Sequence, residues 1–396
     1  MSQLAEIRAV TAMNLRNLPA RWASSLVAVT GVAGVTLVLV AVLSIAEGFR
    51  AALELSGSDD VAIVLRSGST DELTSGLVQN LVPVISDAVG VARLPGGQPI
   101  VSPELYVVVD VPIRGKASAA NAPLRGVGPV AGMIRRKFEI VEGRMFEPGT
   151  SEVVVGDGAA QQYQGLEVGR TLRWGTTNWT IVGRFTEGGG IAESEIWSDS
   201  RVLQQAYNRG AFFQSLRVRL RDAASFDAFR AALAADPRLS VRVEREKTFY
   251  AEQSAFLRTL VTSAGWTIAI MMGVGAVFAA LNTMYNAVSS RTREIATLRA
   301  IGFGAAPVVT SVLVESMLLG MLGGLLGGAV AFLALNGLRS STLNWQNFSQ
   351  ITFAFTVTPR LVLSGIAYGL LLTFLGGLLP GLRAARAPVT AGLRAL

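Results

Sequence analysis

Four stretches of this chain carry almost no ionisable side chains, and each is long enough to cross a lipid bilayer. Trp22 to Ala46, Thr259 to Ser290 and Leu361 to Leu382 hold no Asp, Glu, Lys or Arg, and in Ala300 to Leu338 only Glu315 interrupts. Crossing the hydrocarbon core takes roughly 20 apolar residues at about 1.5 Å per residue. The sequence therefore predicts four transmembrane helices, and the fold class follows: an α-helical membrane protein with a large mixed α/β domain between helices 1 and 2. Composition agrees, with 16% charged residues, 51% hydrophobic residues and 42 glycines, the profile of an integral membrane protein.

The expected segments are a leader helix over 1–21, the first span over 22–47, an extracytoplasmic domain over 48–256, and the second span with an external extension over 257–288. A cytoplasmic segment over 289–304, a third span over 305–338, an external loop over 339–360, a fourth span over 361–382 and a tail over 383–396 complete the chain. The first apolar run is too long for a signal-peptide core and reads as an uncleaved anchor. In the leader, Leu4, Ile7, Leu15 and Leu18 fall near one side of a helix, as in an interfacial amphipathic helix; an unstructured leader is the other reading.

A formal net charge of +7 does not mark a nucleic-acid partner. Residues 47–258 hold 24 Lys plus Arg against 25 Asp plus Glu, so the excess lies beside the spans. Arg8, Arg16 and Arg21 precede the first span, Arg291, Arg293 and Arg299 separate the second and third, and Arg383, Arg386 and Arg394 follow the fourth. Basic residues in short loops favour the cytoplasmic side. Both termini and 289–304 are expected inside, and the long insertion outside, in the inner (cytoplasmic) membrane.

Within the insertion, Val61–Leu65, Tyr106–Val109, Glu152–Val155 and Trp179–Val182 read as strands. Gln214 to Leu220 alternates Leu216, Val218 and Leu220 with Arg217, Arg219 and Arg221, which predicts a half-exposed strand. Ser225 to Ala235 reads as a helix, and another from about Lys247 leads into the second span. Residues 94–129, rich in Pro, Gly and Ala, are expected to hold long loops. Two lobes are expected, one over 61–135 with a return near 210–243, the other over 136–205.

Gly320, Gly324 and Gly328 stand four apart on the third span, with Gly323 and Gly327 beside them, and Gly365 and Gly369 repeat the spacing on the fourth. Small residues at that spacing let helix backbones approach closely, against a helix of the same chain or of a second copy. Glu315 is either functional, as intramembrane acids usually are, or tolerated near the helix end within reach of Arg299. Between the second and third spans, Ile295, Leu298 and Ile301 make an apolar stripe among Arg291, Arg293, Glu294 and Arg299. Such a short helix lies on lipid or docks into a partner's groove.

With no His and no Cys, Ser-His-Asp and Cys-His arrangements, disulfides and the common zinc sites have no residues to build them. No catalytic residue and no metal site is predicted. Asp59, Asp60, Glu193 and Glu195 are expected as solvated surface charge, and Gly188-Gly189-Gly190 as a flexible loop. Gly115-Lys116 lacks the glycine and hydroxyl residue of a Walker A sequence.

Arg291-Thr292-Arg293-Glu294-Ile295 through Leu298-Arg299-Ala300-Ile301-Gly302 resembles the coupling helix of MacB/FtsX-like ABC transporter permeases. Asn14-Leu15-Arg16-Asn17, the Phe138 to Phe146 stretch with Val141-Glu142-Gly143-Arg144, Val168-Gly169, Ile181-Val182-Gly183, and Pro380-Gly381-Leu382-Arg383-Ala384-Ala385-Arg386 with Pro388-Val389 are similar to other parts of that family. Gly392 departs from its usual ending. The resemblance implies a non-catalytic permease subunit, paired with a second copy or a paralogue as a dimer and with a cytoplasmic ABC ATPase that carries ATP and Mg. It also implies docking of 291–302 on that ATPase, mechanotransmission to the outer domain, contact with membrane lipids, and an adaptor beyond the membrane. An amphiphile (lipid, lipoprotein, peptide or drug) is the expected substrate. A regulator of a cell-wall hydrolase, as in FtsX-like proteins, and a membrane sensor without an ATPase are the alternatives.

Overall fold

The computed structural model describes residues 3–16, 22–135, 137–344 and 349–388. Asn17, Leu18, Arg21, Val389, Gly392 and Arg394 lie outside the described residues, as do the side chains of Leu4, Asn14, Leu15 and Arg16. The helices are α1 (Gln3–Arg16), α2 (Trp22–Ser56), α3 (Leu81–Ser86), α4 (Ala131–Ile134), α5 (Asp157–Gln162), α6 (Ser200–Ala206), α7 (Ser225–Ala235), α8 (Glu246–Ser289), α9 (Thr292–Ala300), α10 (Ala305–Leu335) and α11 (Pro359–Arg386). The strands are β1 (Val61–Arg66), β2 (Leu77–Val78), β3 (Val101–Pro112), β4 (Ala119–Val127), β5 (Glu139–Gly143), β6 (Glu152–Gly156), β7 (Thr171–Trp174), β8 (Thr177–Thr186), β9 (Ile196–Asp199), β10 (Phe212–Phe213), β11 (Ser215–Arg219), β12 (Val241–Arg245), β13 (Arg339–Asn344) and β14 (Ser349–Ala354).

Two compact units divide the chain. One holds α1, α2 through Glu47, α8 from Thr259, and α9, α10 and α11; the other is Gly48–Arg258 with Arg339–Ala354. Four helices, α2, α8, α10 and α11, are long and apolar enough to cross a membrane. α2 continues nine residues past position 47, because Phe49, Ala52 and Leu53 keep a helical apolar spacing and are buried. α11 begins at Pro359, two residues ahead of the expected span, where the Thr358 side chain accepts a hydrogen bond from the Leu361 amide. Proline at the first helical turn and threonine just before it are favourable start residues.

In the helical unit, α10 packs by glycine on two sides. A Cβ at Gly320 would collide with Thr373, and at Gly324 or Gly328 it would crowd Ile366 or Val362, all on α11. At Gly323 and Gly327 it would strike Val29, Val32, Ala33 and Thr36 on α2. Gly365 and Gly369 of α11 face Thr36, Val40 and Val32 of α2 in the same way. The partner helices of both glycine rows thus belong to the same chain, and side-chain volume is what keeps other residues out of these positions.

The second unit is built on a ten-stranded sheet of order β12-β1-β11-β3-β4-β9-β6-β8-β5, with β7 paired to β8. β4–β9 and β6–β8 are parallel and the other pairs antiparallel. One core gathers Ala62, Val64, Leu216, Val218, Phe226 and Phe229 around β1, β11 and α7. A second gathers Leu105, Val107, Val109, Leu124, Val153 and Trp179. β3 supplies Val101 to the first and Leu105 to Val111 to the second, so the two expected lobes share one sheet and the boundary falls inside β3. The region expected as long loops is mainly the β3–β4 hairpin. Its apolar run Val107–Val109 and Val111 overrides the local Pro and Gly content.

The 339–360 connection is likewise more than a loop. β13 and β14 pair antiparallel, and the Thr352 amide donates to Ser194 Oγ at 2.8 Å while its hydroxyl bonds Gln162 Oε1 at 2.7 Å. Arg339 meets Asp157 at 3.1 Å. This hairpin is a part of the α/β unit that arrives from a distant stretch of sequence.

Candidate functional site

α9 is a nine-residue helix between α8 and α10. Its end is set by Gly302, whose φ of +103° places it where residues with a Cβ are strained. The Phe303 amide donates back to the Leu298 carbonyl, and this glycine-ended turn redirects the chain into α10.

The predicted contact residues divide between two sides of α9. Arg293 and Glu294 are exposed, with Thr297, Ala300 and Ile301. Ile295 and Leu298, expected on the docking side, are half-buried and line a small cavity with Val10 and Met13 of α1 and Val308 and Val312 of α10. Arg291, also expected as a contact, is buried. Its guanidinium reaches Glu315 Oε2 at 3.4 Å, with both side chains 6% exposed. Glu315 is therefore paired, and with Arg291 rather than Arg299. Arg299 donates instead to the Ala387 carbonyl at 2.8 Å, just past α11. Sequence spacing could place the apolar stripe but not decide which way it faces: Ile295 and Leu298 lie against α1, α8 and α10, whereas Ile301, its third member, stays exposed.

A second constellation lies wholly in the α/β unit. Arg125 of β4 donates to both oxygens of Glu195, to both of Glu72 and to Glu104. Arg135 bonds Glu104 at 3.0 Å and stacks over Trp197, 4.8 Å from the ring centre. Arg217 of β11, with its side chain 0% exposed, contacts Glu104 and Glu72, donates to Glu246 Oε1 at 3.0 Å and reaches Tyr250 Oη at 2.9 Å. The last two partners sit in the first turns of α8.

Burial alone would raise the Glu72 and Glu104 carboxyls, but the surrounding guanidinium groups more than offset it and hold both below the usual carboxylate range. For Glu246, well ahead of the charge-free part of α8, burial prevails and the shift is upward despite Arg217 and Arg135. Glu187 is shifted the same way: burial pushes it to about 8, with Arg135 opposing and Glu246 and Glu195 reinforcing. Among the described residues its Oε2 has no hydrogen-bond partner. Such a network is a rigid junction, because each charge is stable only while its partners hold position.

This cluster corrects three expectations. Arg217 does not face solvent, since the face of β11 opposite the apolar core is covered as well. Glu193 and Glu195 are buried rather than solvated. The glycine run is ordered around Glu193 Oε1, which accepts from the Glu187 and Gly189 amides and from Thr186 Oγ1. The available signal was a charge embedded in an apolar strand, as in Glu104 between Val101 and Val111 or Arg125 beside Leu124.

Known families fix the context. The model of the MacB-like periplasmic core domain matches residues 25–236, more than half of the chain, and that of the FtsX-like permease C-terminal matches residues 266–389. The chain belongs to the MacB/FtsX-like family of ABC transporter permeases. Its relatives include the macrolide export ATP-binding/permease protein MacB of Agrobacterium fabrum, 24% identical over 351 residues, which are 83% of this chain and 51% of that protein. The MacB of Pasteurella multocida is 27% identical over 288 residues, 66% of this chain and 42% of that protein. The uncharacterized ABC transporter permease YknZ of Bacillus subtilis is 26% identical over 141 residues, 36% and 32% respectively. The chain thus spans about half the length, or less, of these relatives.

The crystal structure of the periplasmic region of MacB from Actinobacillus actinomycetemcomitans aligns at a TM-score of 0.38 and 14% identity, covering 51% of this chain and 95% of that one. In MacB/FtsX-like terms, α9, Glu315 and the glycine rows fall within the FtsX-like match. The buried charge cluster falls within the MacB-like match except for Glu246 and Tyr250, which lie between the two.

Proposed function

We propose that this multi-pass membrane protein is the permease subunit of an ABC transporter, without catalysis of its own, and that a separate ATPase carrying ATP and Mg drives it. The observation that carries the reading is the two-sidedness of α9. Arg293 and Thr297 face outward, and Glu294 is exposed at the rim of the inner cavity, on a helix whose inner side is held by α1, α8 and α10; the segment lies in the FtsX-like match. A helix so presented offers charged contacts to a soluble partner while its body stays coupled to the bundle. In this reading 289–304 and both termini are cytoplasmic, the protein sits in the inner membrane as a dimer, and the α/β unit acts on an amphiphilic substrate outside, with an adaptor, by mechanotransmission. The arginines beside the spans support that orientation.

The test is affinity purification of the tagged full chain from its native membrane. An ATP-hydrolysing subunit with a Walker A sequence is expected to co-purify, and Arg293→Glu with Glu294→Arg to reduce its recovery about tenfold or more, as loss of central contacts does. Undiminished recovery would remove α9 as the docking element. Capture of a cell-wall hydrolase in place of an adaptor would replace the transport reading with the regulator.

A further inference from the structure

We infer that the turn from Glu187 to Ser194 is a proton-held latch: while Glu187 keeps its proton the turn stays closed on α2 and β14, and loss of that proton lets it swing open. The inference does not depend on the docking role proposed for α9. Three stretches that are far apart in the sequence meet at this turn, all within the α/β unit. At the end of α2, Ser56 Oγ accepts from the Ile191 amide. On β14, the Thr352 amide donates to Ser194 Oγ. At the start of α8, the Glu246 carboxyl stands close enough to Glu187 to oppose its ionisation. Three glycines separate Glu187 from Ile191, and Gly188 and Gly189 hold φ of +68° and +89°, a backbone that residues with a Cβ rarely adopt.

Glu187 is 4% exposed. The Ala192 amide donates to its carboxyl, and Oε2 has no hydrogen-bond partner among the described residues. A Cβ at Gly190 would collide with that oxygen and with Ser56 Oγ, so glycine makes the room it occupies. The guanidinium groups nearby are engaged elsewhere: Arg125 with Glu72, Glu104 and Glu195, Arg135 with Glu104, and Arg217 with Glu72, Glu104 and Glu246. Among the described residues the buried carboxyls of this cluster therefore outnumber its guanidinium groups. Lys137 packs on Gly188 but is exposed, and Glu193 Oε1 is held by the Glu187 and Gly189 amides and Thr186 Oγ1. A buried carboxylate oxygen without a donor bears its full desolvation cost, whereas a protonated carboxyl has no charge to desolvate. Burial accordingly raises Glu187 to about 8. Once ionised, it repels Glu246 and Glu195, and swinging out on the glycines places it in water while giving up the ties to Ser56 and Thr352. In the open turn the carboxyl returns to its ordinary value of 4.5, so opening releases a proton. The latch is therefore strongest below about pH 4.5, loosens as pH rises, and loosens no further above about pH 8.

Hydrogen exchange of the full chain in lipid nanodiscs, corrected for the pH dependence of an unstructured amide, reads the latch at the 188–194 and 349–354 amides. Exchange there is expected to quicken about tenfold per pH unit between about pH 5.5 and 7.5, the slope of one proton released per opening, and to level off above about pH 8. The Val153–Val155 amides of β6 are expected to show no such slope. Glu187→Gln is expected to abolish the slope. Ser56→Ala is expected to keep it while quickening exchange at Ile191 about tenfold at every pH, the equivalent of one ordinary hydrogen bond. Glu246→Gln, which removes a like charge, is expected to move the levelling-off to lower pH, a change that a merely structural role for the turn would not produce. Absence of a slope in the parent, a slope that survives Glu187→Gln, or an equal slope at Val153–Val155 overturns the inference. If Glu187→Gln does not fold, a levelling-off that stays in place in Glu246→Gln overturns it in the same way.

Discussion

Glu187 holds a proton that an ordinary carboxylate would have lost. Its raised value, about 8 against 4.5, means that the folded protein binds more protons than the unfolded chain between those limits, so its contribution to stability is fully present below about pH 4.5 and is lost as pH rises through 8. The loss is bounded at roughly 4 to 5 kcal/mol by the size of the shift. Glu187→Gln keeps the shape and removes the titration. The variant is expected to gain stability over the parent at pH 9 and little at pH 5, measured by hydrogen exchange of the 187–197 region in the full chain. An equal difference at both pH values would mean that the side chain is ionised throughout. Residues Arg125, Arg217 and Glu104 belong to the same surroundings, and each is a charge whose strand would ordinarily read as apolar.

At the scale of elements, glycine on α10 is the most restrictive feature. Gly320→Val is expected to destabilise the helical unit by about 1 to 3 kcal/mol through overpacking against Thr373, and Gly327→Leu to do the same against α2. Gly31→Ala, where a Cβ meets nothing within 4 Å, is the control, and thermal unfolding of the detergent-solubilised full chain reads all three. If Gly320→Val unfolds with Gly31→Ala, the close approach to α11 is not real.

The four long helices, α9 and the glycine rows were legible in the sequence because membrane length and helical spacing are local properties. The direction of Ile295 and Leu298 was not, since it depends on α1, more than 280 positions earlier in the chain. The β3–β4 hairpin was half legible: Tyr106–Val109 read as a strand, but β4 was hidden for the opposite reason, since the Pro, Gly and Ala content around it is local and the burial that stabilises it is not. The Arg291–Glu315 pair was half legible. Glu315 stood out as an acid in an apolar helix, but the proximity of Arg299 in sequence pointed to the wrong arginine, which the turn at Gly302 carries away toward the end of α11.

For the whole molecule, the family match places the chain among MacB/FtsX-like ABC transporter permeases, its four long apolar helices indicate a multi-pass membrane protein, and the structure adds that its α/β unit is assembled from two separated segments. Ser194→Ala removes the acceptor for the Thr352 amide and is expected to speed exchange of the 349–354 amides about tenfold, the equivalent of one ordinary hydrogen bond. Arg339→Ala, which removes a half-exposed pair with Asp157, is expected to change it far less. Equal exchange in both variants would detach the hairpin from the domain.

That same hairpin bears on how the protein is made. Residues 48–258 leave the ribosome first, yet β13 and β14 follow only after about 80 further residues, Thr259–Leu338, have been synthesised. At roughly 5 to 20 residues per second, the nascent domain spends several seconds without β14, which contacts β4 and the Ile191–Ser194 turn. Its last piece arrives only when α10 is complete, so maturation of the domain is timed by synthesis of the third long apolar helix.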